Sequence, residues 1–136
     1  MTPYPSQLEI REIFAPLSVG NTAGFFAHVA GDVEWTVMGH NPFGEYSSKE
    51  ELMRSALQRL GAIMKEPLTL TIDNVVGGGQ EARAVVEIEL HGVCKNGLDF
   101  DVRYAFSVKF NVDRKIVEVR EYRDSALVNR ALGENE

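Results

Sequence analysis

The chain has 136 residues and a formal net charge of −6, with 44% hydrophobic and 25% charged residues. This length suits one domain with a proper core, which we expect to span residues 1–136. An acidic chain without a run of Lys or Arg is not expected to bind nucleic acid, because contact with phosphates needs a positive surface. A single cysteine, Cys94, allows no intrachain disulfide, and no segment is typical of a signal sequence or membrane span. We therefore expect a cytoplasmic protein without a membrane partner.

The N-terminal half predicts three helices and one strand. In chain order these are helices over residues 6–18 and 22–28, a strand over residues 33–38 and a long helix over residues 47–65. Each helix carries apolar residues at helical spacing, and Pro16 bends or ends the first one. Gly31 and Asp32 indicate a turn before the strand, and Pro67 ends the long helix.

The C-terminal half predicts a run of antiparallel strands. They cover residues 68–76, 82–94, 100–110 and 116–122, and a short helix over residues 125–132 follows them. Glycines at 77–79 and the pair Asn96-Gly97 are typical of hairpin turns. Strands that follow helices in this way predict an α+β domain, with the helices packed on one face of a curved sheet.

The last two strands contain the least expected residue of the chain. In the segment over residues 100–110, apolar side chains alternate with polar ones, as in a strand with one buried face. In the next strand the apolar parity runs through Val117 and Val119 and then reaches Glu121. A carboxyl group at a position that the pattern assigns to the core is costly to bury, and burial changes its pKa.

This order of elements, with GDVEWTVMGHNPFGEY at residues 31–46 and KIVEVREYRDSAL at residues 115–127, resembles the nuclear-transport-factor-2-like (NTF2-like) superfamily. Within it, the chain is most similar to the SnoaL-like polyketide cyclases and the ketosteroid isomerase relatives. The resemblance implies a cone-shaped α+β fold, a cystatin-like roll, in which three N-terminal helices close a curved mixed or antiparallel sheet around a hydrophobic pocket. It also implies a homodimer, and Val85 and Val93, which the strand pattern turns outward, suggest that the outer sheet face meets a partner subunit.

The resemblance also assigns catalytic positions. Those of ketosteroid isomerase fall at Val37 or Met38 for the base, near Ile13 or Phe14 for the tyrosine, and at Phe106 for the oxyanion aspartate. All of these residues are apolar, so we do not expect that machinery here. The SnoaL-like cyclases place an acid late in the last strand, which falls at Glu121 with Asp124 just beyond it. Their partner histidine also falls near Phe106, so one half of that pair is present.

Glu121 is the leading candidate for an acid–base catalyst, because an acid among apolar neighbours has its charged form disfavoured. The alternative is that strand twist exposes Glu121, or that an arginine pairs with it structurally; Arg103, Arg120 and Arg123 are the candidates. Tyr104, on the inward parity, is a candidate hydrogen-bond donor to a substrate oxygen, or else a tyrosine of the core.

Two further catalytic candidates have structural alternatives that we favour. His40 lies in a loop at the expected cavity mouth, where it would move protons or hold the turn through a backbone hydrogen bond. Asp124 precedes the last helix, where it would act as an acid or cap the helix. The three histidines are scattered, so no metal site is predicted, and no organic cofactor is implied.

The expected ligand-binding wall consists of apolar and aromatic residues, namely Phe14, Trp35, Val37, Tyr46, Phe106 and Val119. We predict that a small hydrophobic molecule binds there and undergoes isomerisation, cyclisation or dehydration, with a polyketide-, steroid- or terpenoid-like substrate. The alternative is a non-catalytic ligand-binding or dimerising accessory module. Its support is that three catalytic positions of the relatives are apolar here.

Overall fold

The structure is a computed structural model that describes residues 1–39, 45–46 and 58–136, with the backbone alone at residues 45, 46 and 58. In chain order its elements are α1 (Gln7–Phe14), a 3-10 helix (Ala15–Val19), α2 (Thr22–Phe26), β1 (Val29–Val37), β2 (Glu45–Tyr46), α3 (Gln58–Ala62), β3 (Thr69–Gly77), β4 (Arg83–Val93), β5 (Asp99–Phe110), β6 (Ile116–Arg123) and α4 (Ser125–Asn135). Within these ranges, no helix has the length and apolarity needed to cross a membrane.

The first predicted helix forms over most of its length and then changes type. Ser6 caps α1 through its side chain, and Glu9 returns the interaction to the Ser6 backbone, which completes a capping box. Beyond Phe14 the chain tightens into the 3-10 helix, where Pro16 has no backbone N–H to continue the α-helical pattern. Of the predicted third helix, residues 47–57 lie outside the described part of the chain.

The strands form one mixed sheet in the order β2-β1-β6-β5-β4-β3. The four strands from β3 to β6 pair antiparallel with their sequence neighbours, as predicted. β1 instead lies parallel to β6 and thereby joins the two ends of the chain. This long-range pairing places the last strand in the middle of the sheet, between β1 and β5.

The predicted alternation of β5 forms the centre of the core. Its inward side chains are all buried: Phe100, Val102, Tyr104, Phe106, Val108 and Phe110. They face α1 and α2, whose buried side chains include Phe14 and Phe25. The helices and the sheet therefore bury one continuous apolar layer between them.

One predicted parity is wrong, because the register between β5 and β6 contains an irregularity. Lys109 pairs with Glu118, whereas the next residue, Phe110, pairs with Ile116. This bulge turns Ile116 fully into the core and leaves Val117 half-buried. The alternation resumes after the bulge, so that Glu121 faces inward as predicted.

The predicted turn at Gly31 and Asp32 is also wrong, because both residues lie inside β1. The strand begins at Val29, which pairs with Ile116 of β6, and the regular register resumes at Glu34. Gly31 and Asp32 therefore lie in an irregular stretch near the start of β1, before the part of the strand whose side chains alternate. Glycine tolerates such a distortion because it has no side chain.

The glycine turn between β3 and β4 packs closely against the N-terminal segment, and substitutions in it test that packing. Gly78 has a φ of +78°, and a Cβ there would lie 2.7 Å from Ile10 Cδ1 and 2.8 Å from the Pro5 carbonyl oxygen. Gly97 in the next hairpin has a φ of +90°, with nothing within 4 Å of a Cβ. We expect Gly97→Ala to lower the free energy of unfolding by about 1–2 kcal/mol through backbone strain alone. Gly78→Ala adds a clash and should cost about 1–3 kcal/mol more, measured by urea denaturation. Equal losses in the two variants would contradict the described packing of Gly78.

Candidate functional site

Glu121 lies buried in the sheet face with a donor on each carboxylate oxygen. Trp35 Nε1 donates to Oε1 at 3.0 Å, and Arg123 Nη1 donates to Oε2 at 2.9 Å. The side chain of Glu121 is 8% exposed and that of Arg123 is 2% exposed. The pair is therefore an enclosed ion pair with a neutral indole donor, and not a surface salt bridge.

Three adjacent strands bring this cluster together. Glu121 and Arg123 are two residues apart on β6, so they share its inner face. The parallel register of β1 sets Trp35 opposite Val119 and Val37 opposite Glu121. On the other side, the antiparallel register of β5 sets Phe106 opposite Glu121, and the residue opposite Arg123 is Tyr104.

Aromatic rings surround the carboxyl group and form its apolar wall. Phe106 is the centre of this wall, and its ring centroid lies 5.5 Å from Tyr104, 6.0 Å from Trp35 and 6.1 Å from Phe14. Phe25 continues the wall, at 4.9 Å from Phe14 and 6.4 Å from Trp35. These contacts exclude water from the cluster and strengthen the electrostatic interactions within it.

Burial and ion pairing act on Glu121 in opposite directions. Removal from water raises the pKa of the Glu121 carboxyl above its ordinary value, and this effect exceeds the opposing ones from Arg123 and from the Trp35 indole. The same burial, with the Glu121 charge nearby, raises the pKa of the Tyr104 phenol. Tyr104 therefore stays neutral and keeps its hydroxyl proton, as a hydrogen-bond donor must.

The Tyr104 hydroxyl oxygen is inaccessible to solvent and meets the geometry of no hydrogen bond within the described ranges, although the Arg123 guanidinium lies close enough to lower the pKa of the phenol against the larger effect of burial. Its ring is held by stacking against Phe106 at an interplanar angle of 9°. A buried hydroxyl is normally hydrogen-bonded, so an unsatisfied one is a candidate ligand contact. This feature distinguishes Tyr104 from a core tyrosine whose hydroxyl meets the backbone.

The predicted site residues divide into those that the structure brings together and those that it does not. Gathered around Glu121 are Phe14, Trp35, Val37, Tyr104, Phe106 and Val119. His40 lies outside the described residues, and Tyr46 is described only by its backbone, which pairs with Trp35. Asp124 is exposed and accepts a hydrogen bond from the Leu127 N–H at 3.1 Å, so it caps α4 as the structural alternative predicts.

Arg123 is the residue whose part in the site the sequence left open. It was one of three candidate partners, but Arg103 pairs with Glu89 and Arg120 pairs with Glu118. Those two arginines are exposed, as is expected of residues on the outer face. The sequence feature that identifies Arg123 as the partner is its spacing of two residues from Glu121. Residues two apart on a strand have their side chains on the same face of the sheet.

Other concave regions of the described surface lie away from this cluster. One cavity of about 260 Å³ is lined by Glu9, Glu12 and His28, among others, and another of about 520 Å³ by Lys65, His91 and Asp99 with their neighbours. In the described ranges, no group of three or more His, Cys, Asp or Glu residues has the arrangement of a metal site. The candidate site thus rests on the cluster around Glu121.

Known proteins resemble this chain over nearly its whole length. Residues 10–119 match the SnoaL-like domain family, and the match ends two residues before Glu121. The chain is 30% identical over 135 residues to the dimerizing cyclase phiC of a fungal species, covering 98% of this chain and 59% of that protein. It is 28% identical over 136 residues to the dimerizing cyclase tstC of Talaromyces stipitatus, covering 98% and 60%. The chain therefore spans about three-fifths of the length of the curated relatives that it matches.

Solved structures share the fold. An NTF2-like protein from Burkholderia thailandensis superposes with a TM-score of 0.78 at 25% identity, over 97% of this chain and 98% of that one. TerC, co-crystallised with polyporic acid, superposes with a TM-score of 0.72 at 16% identity, over 91% and 95%. The predicted NTF2-like α+β fold is thus confirmed.

The raised pKa of Glu121 predicts a particular dependence of stability on pH. The folded state holds this proton more tightly than the unfolded chain, whose carboxyl has the ordinary pKa of 4.5. As pH rises from 4.5 toward the folded-state pKa, the wild type should therefore lose unfolding free energy relative to Glu121→Gln. The slope is at most about 1.4 kcal/mol per pH unit. Urea denaturation across pH measures it, with exposed Glu81→Gln as the control. The raised pKa would be contradicted if the difference in unfolding free energy between wild type and Glu121→Gln stayed constant with pH, or if it shifted in favour of the wild type as pH rises.

Proposed function

Because this chain belongs to the SnoaL-like domain family of the NTF2-like superfamily, we propose that it binds a small hydrophobic molecule and catalyses cofactor-independent acid–base chemistry on it. The substrate class is polyketide-, steroid- or terpenoid-like, and the reaction is a cyclisation, isomerisation or dehydration. Both curated relatives are named dimerizing cyclases, so we put cyclisation first. The observation that carries the proposal is the buried Glu121 carboxyl, set in an aromatic wall beside an unsatisfied Tyr104 hydroxyl.

In the proposed mechanism Glu121 moves the proton and its neighbours control the charge. As a carboxylate, Glu121 removes a proton from the carbon next to a substrate carbonyl, and it returns that proton to another atom after the ring closes or the double bond moves. The Tyr104 hydroxyl donates a hydrogen bond to the oxygen on which negative charge develops. The Trp35 N–H at 3.0 Å fixes Oε1, so Glu121 keeps one orientation during the transfer.

A non-catalytic module is the second candidate, and the completeness of the ion pair favours it. Both oxygens of Glu121 already accept a hydrogen bond, and the side chain is 8% exposed. A structural pair needs no more than this. Phe106 also stands where the relatives' partner histidine falls, so the pair known from SnoaL-like cyclases is incomplete. This module would bind a hydrophobic molecule without changing it.

The proposal includes a homodimer that forms through the outer face of the sheet. One end of that face carries Glu89, Asp99 and Asp101, with Arg103 and His91 among them, and is acidic in balance. The other end carries Arg83, Lys109 and Arg120 around Glu118 and is basic in balance. Between the two ends lie apolar Val76, Val85, Ala105 and Tyr122, of which Val76 and Tyr122 are exposed, with the exposed carboxylate of Glu87 opposite Ala105. A two-fold axis through this centre places the acidic end of one copy on the basic end of the other.

Turnover in a small-molecule extract of the host tests the catalytic proposal. We expect the wild type to convert one component into a product. A product of equal mass identifies isomerisation or cyclisation, and a product lighter by one water identifies dehydration. Glu121→Gln should slow the reaction about a hundredfold to ten-thousandfold through loss of the proton carrier. Tyr104→Phe should slow it about a hundredfold. Mass spectrometry of the extract measures both.

The control for these variants is Glu81→Gln, which changes an exposed acid in a turn and should leave the rate unchanged. Retention of the wild-type rate by Glu121→Gln would contradict the proton-transfer role. Retention of an unmodified molecule by the purified protein, without conversion of any extract component, would establish the non-catalytic module instead.

The proposed dimer predicts a strong effect of one charge at the centre of the outer face. Ala105→Glu buries a carboxylate next to its own symmetry copy, so we expect the dissociation constant to rise at least about a hundredfold. Leu8→Glu changes an apolar residue on α1 that is 68% exposed and should leave the dimer intact. Sedimentation velocity measures both. A wild-type monomer, or a dimer that survives Ala105→Glu, would contradict this interface.

A further inference from the structure

His91 lies between two carboxylates on the outer face of the sheet. Its Nδ1 lies 3.0 Å from Asp101 Oδ1, and its Nε2 lies 3.1 Å from Glu89 Oε2. A neutral imidazole has one N–H and can donate to only one of these acceptors, whereas an imidazolium donates to both. The geometry is therefore that of a protonated histidine, and it links β4 to β5.

The same contacts hold the His91 proton. The hydrogen bond with Asp101 raises the pKa of the imidazole above its ordinary value of 6.5; partial removal from water opposes this effect, and the hydrogen bond with Glu89 adds to it. The side chain is 43% exposed, so the proton exchanges freely with solvent. His91 is therefore mostly charged at pH 6.5 and loses its charge as pH rises beyond that value.

The side chains around His91 give this end of the outer face a negative balance. They are Glu89 on its own strand, Asp99, Asp101 and Arg103 on β5, uncharged Thr69 opposite it on β3, and Lys65 and Glu66 in the segment before β3. Several of them line a cavity of about 520 Å³ together with His91. With His91 protonated, the cluster carries one excess negative charge, and loss of the proton leaves two.

The basic end of a second copy matches this cluster in position as well as in charge. Asp101 and Lys109 lie at equal distances along β5 on either side of Ala105. The residues opposite them on β4 are His91 and Arg83, respectively. A two-fold axis that crosses β5 at Ala105 exchanges these two positions between copies. Asp101 then faces the partner's Lys109, and His91 faces the partner's Arg83.

We propose that the acidic end of the outer face, with the cavity beside His91, is the docking site for the basic end of a second copy, and that docking releases the His91 proton. The inference rests on the homodimer of the proposed function, because it names the contacts of that interface. An imidazolium repels the partner's Arg83, and it competes with the partner's Lys109 for Asp101. After the proton leaves, the neutral ring still donates Nδ1–H to Asp101.

Dimerisation is therefore favoured at high pH. The pKa of His91 is raised in the free subunit by its two carboxylates and is lowered in the dimer by the partner's cations. The dimer thus binds fewer protons than two free subunits, so its dissociation constant falls as pH rises through the titration of His91. Since the contact is exposed, added salt should weaken this dependence.

Sedimentation equilibrium at about pH 6 and about pH 9, at constant ionic strength, tests the docking site. We expect the wild-type dissociation constant to be about threefold to thirtyfold lower at the higher pH, because each of two exposed contacts loses one repulsive charge. His91→Gln should keep the tighter value at both pH values. His28→Gln is the matched control, because His28 lines the separate cavity beside Glu9 and Glu12, and it should behave as the wild type. Other titrating groups contribute equally to His91→Gln, so the difference reports on His91.

A charge exchange tests whether Asp101 acts across the interface or only within its own subunit. At about pH 9, Asp101→Lys and Lys109→Asp should each raise the dissociation constant at least about tenfold, because like charges then meet at both symmetric contacts. The double variant Asp101→Lys/Lys109→Asp restores opposite charges across the axis and should recover most of the affinity. Failure of the double variant to recover would contradict the contact.

Nitrogen-15 NMR of the His91 ring measures the proton directly. We expect a lower titration midpoint in the wild-type dimer than in Ala105→Glu, the variant designed to dissociate it. Equal midpoints, or a dissociation constant whose pH dependence survives His91→Gln, would overturn the proposal.

These results are distinct from failure of the proposed function. A dimer that Ala105→Glu dissociates, but whose affinity does not depend on His91, would refute the docking site and support the outer-face interface. A wild-type monomer at both pH values would refute the interface and the docking site with it. Turnover is measured separately, so neither result bears on the catalytic proposal.

Discussion

The parallel pairing of β1 with β6 is the constraint on which the site depends. It sets strands from opposite ends of the chain side by side and delivers the Trp35 indole to a carboxyl group 86 residues away. The antiparallel pairing of β6 with β5 then brings Phe106 and Tyr104 to the other side of the same carboxyl. Without the first pairing, Glu121 would lie on an open strand edge. With it, the last strand becomes a central one, and its inward side chains are enclosed from both sides.

Enclosure creates an electrostatic conflict that a purely structural core would avoid. Burial disfavours the Glu121 carboxylate, whereas Arg123 and Trp35 each favour it through a hydrogen bond. Removing one partner of such a buried pair typically costs about 3–5 kcal/mol, yet replacing the whole pair by apolar residues is often neutral or stabilising. Stability alone therefore does not account for a carboxyl at this position. A carboxyl group whose pKa is raised, in a site that excludes water, is suited to proton transfer.

Much of this arrangement was predictable, because local patterns determine it. The period of two in β5 identified the core face, and the same parity gave the inward position of Tyr104 and Phe106. The alternation that predicted the inward position of Glu121 began at Val117, and that first assignment was wrong. A bulge before Val119 shifts the strand there, so that Ile116 faces the core instead of Val117. Since the shift lies before Val119, the parity of Glu121 was unaffected. A bulge two residues later would have reversed the prediction.

The remaining parts of the site depend on long-range pairing, which the sequence does not specify locally. Nothing in residues 31–37 indicates that their neighbour is the last strand, so the indole donor was predicted only as a wall residue. The spacing along β6 was enough to prefer Arg123 over Arg120, whereas excluding Arg103 depends on the register between β5 and β6. The glycine and aspartate in β1 were misassigned because turn formers also occupy irregular stretches of strand.

The protonation of Glu121 is the central claim, and carbon-13 NMR of the protein labelled at the glutamate side-chain carboxyl measures it directly. Comparison with Glu121→Gln assigns its signal, and a pH titration gives its midpoint. The account predicts a midpoint above the ordinary carboxyl value of 4.5, because burial outweighs the two hydrogen bonds. A midpoint at or below 4.5 would mean that the ion pair with Arg123 dominates. Glu121 would then be a structural carboxylate, and the proposed acid–base role would be wrong.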